Sequence, residues 1–340
     1  MSSSLTSSVK ADRQALYLAD YGRSVLFVLI AAALVFLAAT ARIKPLHAAI
    51  GITILSFVDL IGIDSRYLSK ENFVTEEDLM APFAANAADI QIKQDTSYYR
   101  VFDQTDPQTA RSSYHHNSVT GYHPAKLSLY DDLLQKQLFG GNMNMFNMLN
   151  TKYFIVQNPQ NGQPVAQTNP GALGAAWFVK TIRYVNSADE EMAALTDLNP
   201  KDTVLIDKRE QPKVSVTPQY DSAATIQLVF NRNDVIQYNS NASTNQFAVF
   251  SEIYYPRGWK AYIDGKETEI VKVDYALRGL PLPAGKHVID FKFVPESFLL
   301  GDKIGLVFGI ISFLLLFVCL WLLWKDYRSN NSGTGGYTGT

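Results

Sequence analysis

A chain of 340 residues with 47% hydrophobic residues, 18% charged residues and a net charge of -2 is long enough for a membrane part plus a folded domain. The balanced charge and the lack of a long basic run exclude a phosphate-tracking surface, so nucleic acid is not an expected partner. The single cysteine, Cys319, excludes an intrachain disulfide, and any external domain must stand on its core alone.

Residues 1–23 are polar and mixed. Residues 24–41 then run without a charge, and residues 46–63 are interrupted only by His47 near one end and Asp59 near the other. Residues 304–324 are also free of charge and end in Trp321 and Trp324, as an interfacial aromatic belt would. A helix rises about 1.5 Å per residue, so each run covers roughly the 30 Å apolar layer of a bilayer. One such run is compatible with a buried core helix; three with basic flanks predict a membrane hairpin over 24–63 and a third span over 304–324. A cleavable signal peptide fits the first run poorly, because a long polar stretch precedes it and a second apolar run follows at once.

Short loops set the orientation. Arg42 and Lys44 lie between the first two runs, and Lys325 and Arg328 follow the third. With both groups in the cytoplasm, the residues between the second and third spans face outward. Lys10, Arg13 and Arg23 before the first run oppose this, balanced in part by Asp12 and Asp20, and Lys303 lies on the proposed outer side. Asp59, about one turn from the outer end, admits two readings: a structural carboxylate reached by water or Arg66, or a ligand or proton site.

Residues 64–199 read as a charged connector followed by an α+β lobe. Strands are expected at 98–102 and 152–157, helices over 124–139 and 142–150, and an irregular loop over 157–174. Residues 200–300 read as a β-sandwich, with strands at 203–206, 214–216, 225–230, 235–238, 246–253, 260–263, 270–273 and 287–293. Asp264-Gly265 marks a tight hairpin and residues 283–286 a second turn. Residues 325–340 form a cytoplasmic tail, disordered beyond Arg328 because its composition cannot bury enough surface. The fold class is thus a membrane protein: three transmembrane helices with an external α+β lobe followed by a β-sandwich.

Two groups are candidate ligand sites. His115, His116, Tyr122 and His123 cluster in sequence, but adjacent histidines point apart and no acidic or thiol partner has metal-ligand spacing. They suit a surface loop or a glycan-contacting loop better than a metal centre. In the sandwich, Trp259 offers a flat apolar face, with Arg257 and Arg278 available for an anionic group such as a phosphate. The competing reading is that these aromatics fill the sandwich core. No nucleophile, zinc-protease, P-loop or dinucleotide motif occurs, so no catalytic residue, metal or cofactor is assigned.

The blocks SEIYYPRGWKAYIDGKETEI and VDYALRGLPLPAGKHVIDFKFVPESF, followed by an apolar helix, resemble the C-terminal end of YfhO-like bacterial membrane proteins. ADRQALYLADYGRS, FVDL, SRYLSKENFV, YYRVFD, SYHHNSVTGYHPAKLSLYDDLL and MLNTKYFIV fit the same family in the same order. The resemblance implies similarity to the GT-C glycosyltransferases, which use polyprenyl-phosphate sugars, and a role in glycosylating cell-envelope polymers at the bacterial cytoplasmic membrane. It also implies that this chain is the C-terminal portion of a longer polytopic protein, with residues 1–4 an added start. The essential acidic residues of that class lie in a first external loop with no counterpart here. The expectation is therefore a portion whose external lobes bind acceptor or partner; the alternative is a non-catalytic, membrane-anchored module that binds glycan or protein during envelope assembly. Transport, resting on Asp59 alone, is a third.

Overall fold

The computed structural model describes residues 3–332, and the chain divides into two compact units, residues 1–82 and 83–340. In the first, α1 (Ser3–Ala39) and α2 (Pro45–Tyr67) form a helical hairpin. Ala41 takes a left-handed conformation in the turn, and Pro45 opens α2 at a position where a missing N–H costs nothing. A Cβ at Gly51 would lie 3.0 Å from the Leu34 side chain, so the two helices touch at a small residue. Residues 3–23 are part of α1, continuous with the first apolar run. They hold no proline and a single glycine, Gly22, so each residue adds one hydrogen bond to a helix already nucleated. A short helix, α3 (Glu76–Met80), capped by Thr75, follows in the acidic connector.

The second unit begins with α4 (Ala87–Ile92), β1 (Arg100–Asp103), α5 (Arg111–His115), α6 (Ser128–Leu133), α7 (Met143–Met148) and β2 (Thr151–Gln157). A π-helical turn, Leu134–Leu138, extends α6. β3 (Pro164–Thr168) follows, inside the segment expected to be irregular. It is an edge strand beside β2, and Pro164 occupies its first position, where a missing donor is tolerated. Then come β4 (Ala176–Val179), β5 (Thr181–Val185), α8 (Ala188–Ala194) and β6 (Thr203–Asp207), with β5 and β6 paired in parallel. The strand expected at 214–216 does not form; Pro212 and Pro218 flank extended chain without a ladder partner.

The sandwich takes β7 (Thr225–Asn231), β8 (Val235–Ala242), β9 (Gln246–Ile253), β10 (Trp259–Ile263), β11 (Lys266–Thr268), β12 (Val271–Val273), β13 (Leu277–Leu282) and β14 (Gly285–Phe293). One sheet has the order β11-β10-β14-β8-β7, the other β12-β13-β9-β4. The latter borrows its edge, β4, from the stretch read as the first lobe. Asp264 and Gly265, both left-handed, make the predicted two-residue hairpin between β10 and β11. α9 (Glu296–Ser332) starts directly after Pro295, and its first residue is held to β10 by the Lys260–Glu296 pair at 3.1 Å. Residues 329–332, expected to be disordered, continue this helix; residues 333–340 lie outside the described residues.

The cores explain the layering. Between the two sheets lie Ile236, Tyr238, Ala248, Phe250, Leu280 and Phe291. The other face of the four-stranded sheet, with Phe247, Val249, Val273 and Leu277, packs on Leu133, Leu134, Phe146 and Leu205 of the lobe. Lobe and sandwich therefore share a continuous core, and the four-stranded sheet is covered on both sides. Three helices are long and apolar enough to cross a membrane, and their large apolar side chains are exposed outward, as lipid contact requires.

Candidate functional site

The sandwich end nearest the start of β10 holds an open cavity of about 440 Å³ walled by Leu127, Ile253, Tyr255, Trp259, Arg278 and Phe293, with Glu252 and Asn233 adding polar atoms. Strand geometry assembles it. Alternation on β9 puts Glu252 on the face that carries Ala248 and Phe250 into the core, and Arg278 on β13 pairs opposite Phe250. Leu127, at the end of the loop that carries His123, completes the wall from the lobe.

Glu252 is the centre of a buried polar network. Its Oε1 accepts from the Tyr98 hydroxyl at 2.8 Å, Arg100 Nη2 at 3.2 Å and Asn231 Nδ2 at 3.3 Å. Arg100 Nη1 donates to the Leu149 and Ser251 carbonyls at 2.9 and 2.7 Å. Burial works to raise the Glu252 pKa, but Arg100, the Tyr98 hydroxyl and Arg278 outweigh it and hold the carboxyl below its ordinary value.

Arg278 is only 3% exposed. Its Nε donates to the Ile253 carbonyl at 3.0 Å, and its guanidinium carbon sits 4.3 Å from the Trp259 ring centroid and 5.3 Å from that of Phe291. Nη1 is buried without a hydrogen-bond partner, as is the Tyr238 hydroxyl. Burial lowers the Arg278 pKa to about 10, which leaves it charged at neutral pH. The nearby Glu252 charge and the two ring faces offset part of that desolvation.

The predicted residues divide cleanly. Trp259 and Arg278 come together, although the Trp259 face is occupied by the guanidinium rather than open to a ligand. Arg257 is exposed and does not line the cavity. His115 and His116 are held by local structure: His116 Nε2 meets Asp89 Oδ1 at 3.0 Å, while His115 meets the Phe83 carbonyl at 2.8 Å and Lys93 Nζ at 2.9 Å. Asp89 also pairs with Arg111 and caps α4 through Asn86. Burial lowers the His116 pKa, so the ring is neutral at pH 7. Tyr122 is 74% exposed, and His123 Nδ1 accepts from its neighbour Ala125 N–H. Among the described residues no group of three or more His, Cys, Asp or Glu side chains could hold a metal. In the helical hairpin, Asp59 pairs with Arg23 at 3.5 Å, not with Arg66, which instead reaches Asp20 at 2.9 Å.

Sequence reasoning missed Glu252, Tyr98 and Arg100. A signal existed for the first: a carboxylate in phase with Ala248 and Phe250 on an apolar strand is a charge aimed at a core. Tyr98 and Arg100 are far from it in the chain, and nothing local announces the pairing.

Three membrane-length helices and a β-rich unit with a polar, aromatic-walled cavity define a membrane-anchored sandwich protein. Residues 217–305, covering β7 to the start of α9, match the family described as bacterial membrane protein YfhO. A Bacillus subtilis (strain 168) relative described as uncharacterized protein YfhO is 29% identical over 98 residues. The alignment covers 27% of this chain and 11% of that protein. No solved structure matches. Over that stretch the chain is thus similar to the YfhO family of bacterial membrane proteins.

Proposed function

We propose that this chain is the outward-facing, acceptor-binding portion of a membrane protein of the lipid-linked-sugar glycosyltransferase type, acting on cell-envelope polymers at the bacterial cytoplasmic membrane. The observation that carries this reading is the open cavity walled by Leu127, Tyr255 and Phe293 beside hydrogen-bonding groups, on a sandwich joined directly to a membrane-length helix. Apolar ring faces with polar neighbours suit the two-sided chemistry of a sugar. The YfhO likeness supports an envelope setting, and the donor would be a polyprenyl-phosphate sugar used by the full-length protein. The orientation takes Arg42, Lys44, Lys325 and Arg328 as the cytoplasmic set, against Lys10, Arg13, Arg23 and Lys303 on the outer side. No residue here is assigned as the catalytic base.

The test is a titration of the full chain in lipid nanodiscs with oligosaccharides released from envelope polymers, read by tryptophan fluorescence. Saturable binding weakened at least tenfold by Tyr255→Ala is the expected result. Unchanged affinity in that variant, or no saturable binding, overturns the assignment of the cavity.

A further inference from the structure

The charges around the cavity do not balance. Arg100 and Arg278 bring two positive groups, and Glu252 brings one negative. Glu252 is satisfied by Tyr98, Arg100 and Asn231, so Arg100 neutralises it within hydrogen-bond distance. Arg278 has no carboxylate within ion-pair distance among the described residues. Of its donors only Nε is engaged, Nη1 is buried and unpaired, and the side chain lines an open cavity. Ring faces stabilise a guanidinium but accept no hydrogen bonds in its plane, where an oxyanion binds best. A planar fork with free donors, held in place by Trp259 and Phe291, is preorganised for a carboxylate or phosphate.

We infer that Arg278 forms an oxyanion subsite in this cavity, so that the bound sugar carries a carboxylate or a phosphate. This rests on the sugar-binding reading above and narrows its substrate class. The full chain in phosphatidylcholine nanodiscs is titrated calorimetrically with glucose, glucuronate, glucose 1-phosphate and inorganic phosphate. The two charged sugars bind at least tenfold more tightly than glucose, and Arg278→Gln brings them within about twofold of it. Equal affinity for glucose and glucuronate overturns the oxyanion subsite and leaves the sugar reading standing. Phosphate binding that depends on Arg278, with no preference added by the sugar, keeps the subsite and removes the sugar. Loss of glucuronate binding in phosphatidylglycerol nanodiscs keeps the subsite and makes its source a lipid headgroup. If no ligand binds, both readings fall. Should the Arg278→Gln variant not fold, the wild-type comparison of glucuronate with glucose decides alone.

Discussion

Asp274 is buried at the turn between β12 and β13, where it accepts from Leu205 N–H at 2.8 Å and pairs with no cation among the described residues. Burial pushes its pKa well above the ordinary carboxylate value, and the charge of Glu191 adds to the shift. A carboxyl group that stays protonated in the folded state while it ionises in the unfolded chain lowers stability as pH rises. The penalty is absent below the unfolded pKa of 3.8 and grows as pH rises until the folded pKa is reached. Asp274→Asn keeps the acceptor and tolerates the left-handed backbone, φ 47°, found there. The variant therefore melts at a higher temperature than wild type at pH 7.5, and the gap narrows as pH falls to about 4. Thermal unfolding in detergent across that range checks it; a gap that is absent or that widens towards acid refutes the buried neutral carboxyl. Arg278 is the complementary case, a buried cation compensated by ring faces and the nearby Glu252 charge, and neither environment could be read from neighbours in sequence.

The four-stranded sheet shows why some elements were legible and others not. β10 and β14 are recognisable from alternation and from the Asp264-Gly265 turn. β13, with Gly279 and Pro281 inside LRGLPL, carries local signals against a strand. It forms because the neighbouring β12 begins opposite Gly279, leaving Pro281 with a partner strand on one side only. Gly279 is there for space: a Cβ would lie 2.7 Å from Phe247 Cε1 and 2.8 Å from Val273 Cγ1. Gly279→Ala should cost about 1–3 kcal/mol, seen as a lower urea midpoint for the external domain. A midpoint equal to wild type would mean the ring and the valine shift freely. β9 is buried on nearly every residue rather than alternating, since lobe and second sheet cover both its faces. An apolar run of this kind announces a buried strand but not its two partners.

For the whole molecule, the charge distribution predicts a topology. With the lone Cys319 replaced by Ser, a cysteine introduced by Asn161→Cys reacts with a membrane-impermeant maleimide on intact spheroplasts. One introduced by Thr40→Cys, in the turn after α1, reacts only after lysis. The reverse pattern would invert the orientation and take the cavity away from envelope acceptors.

The sequence by itself determined the three spans, because a run of about twenty predominantly apolar residues has few other stable solutions in water or lipid. It also determined that a β-rich domain precedes the last span, from period-two alternation and turn residues that act over a few positions. Only the tertiary structure decided that β4 joins the sandwich, that lobe and sandwich share a core, and that Tyr98 and Arg100 meet Glu252 some 150 residues away. Such contacts depend on which faces find each other after collapse. A free guanidinium in a ring-lined cavity is likewise a statement about what is missing around Arg278, and local sequence carries no record of that.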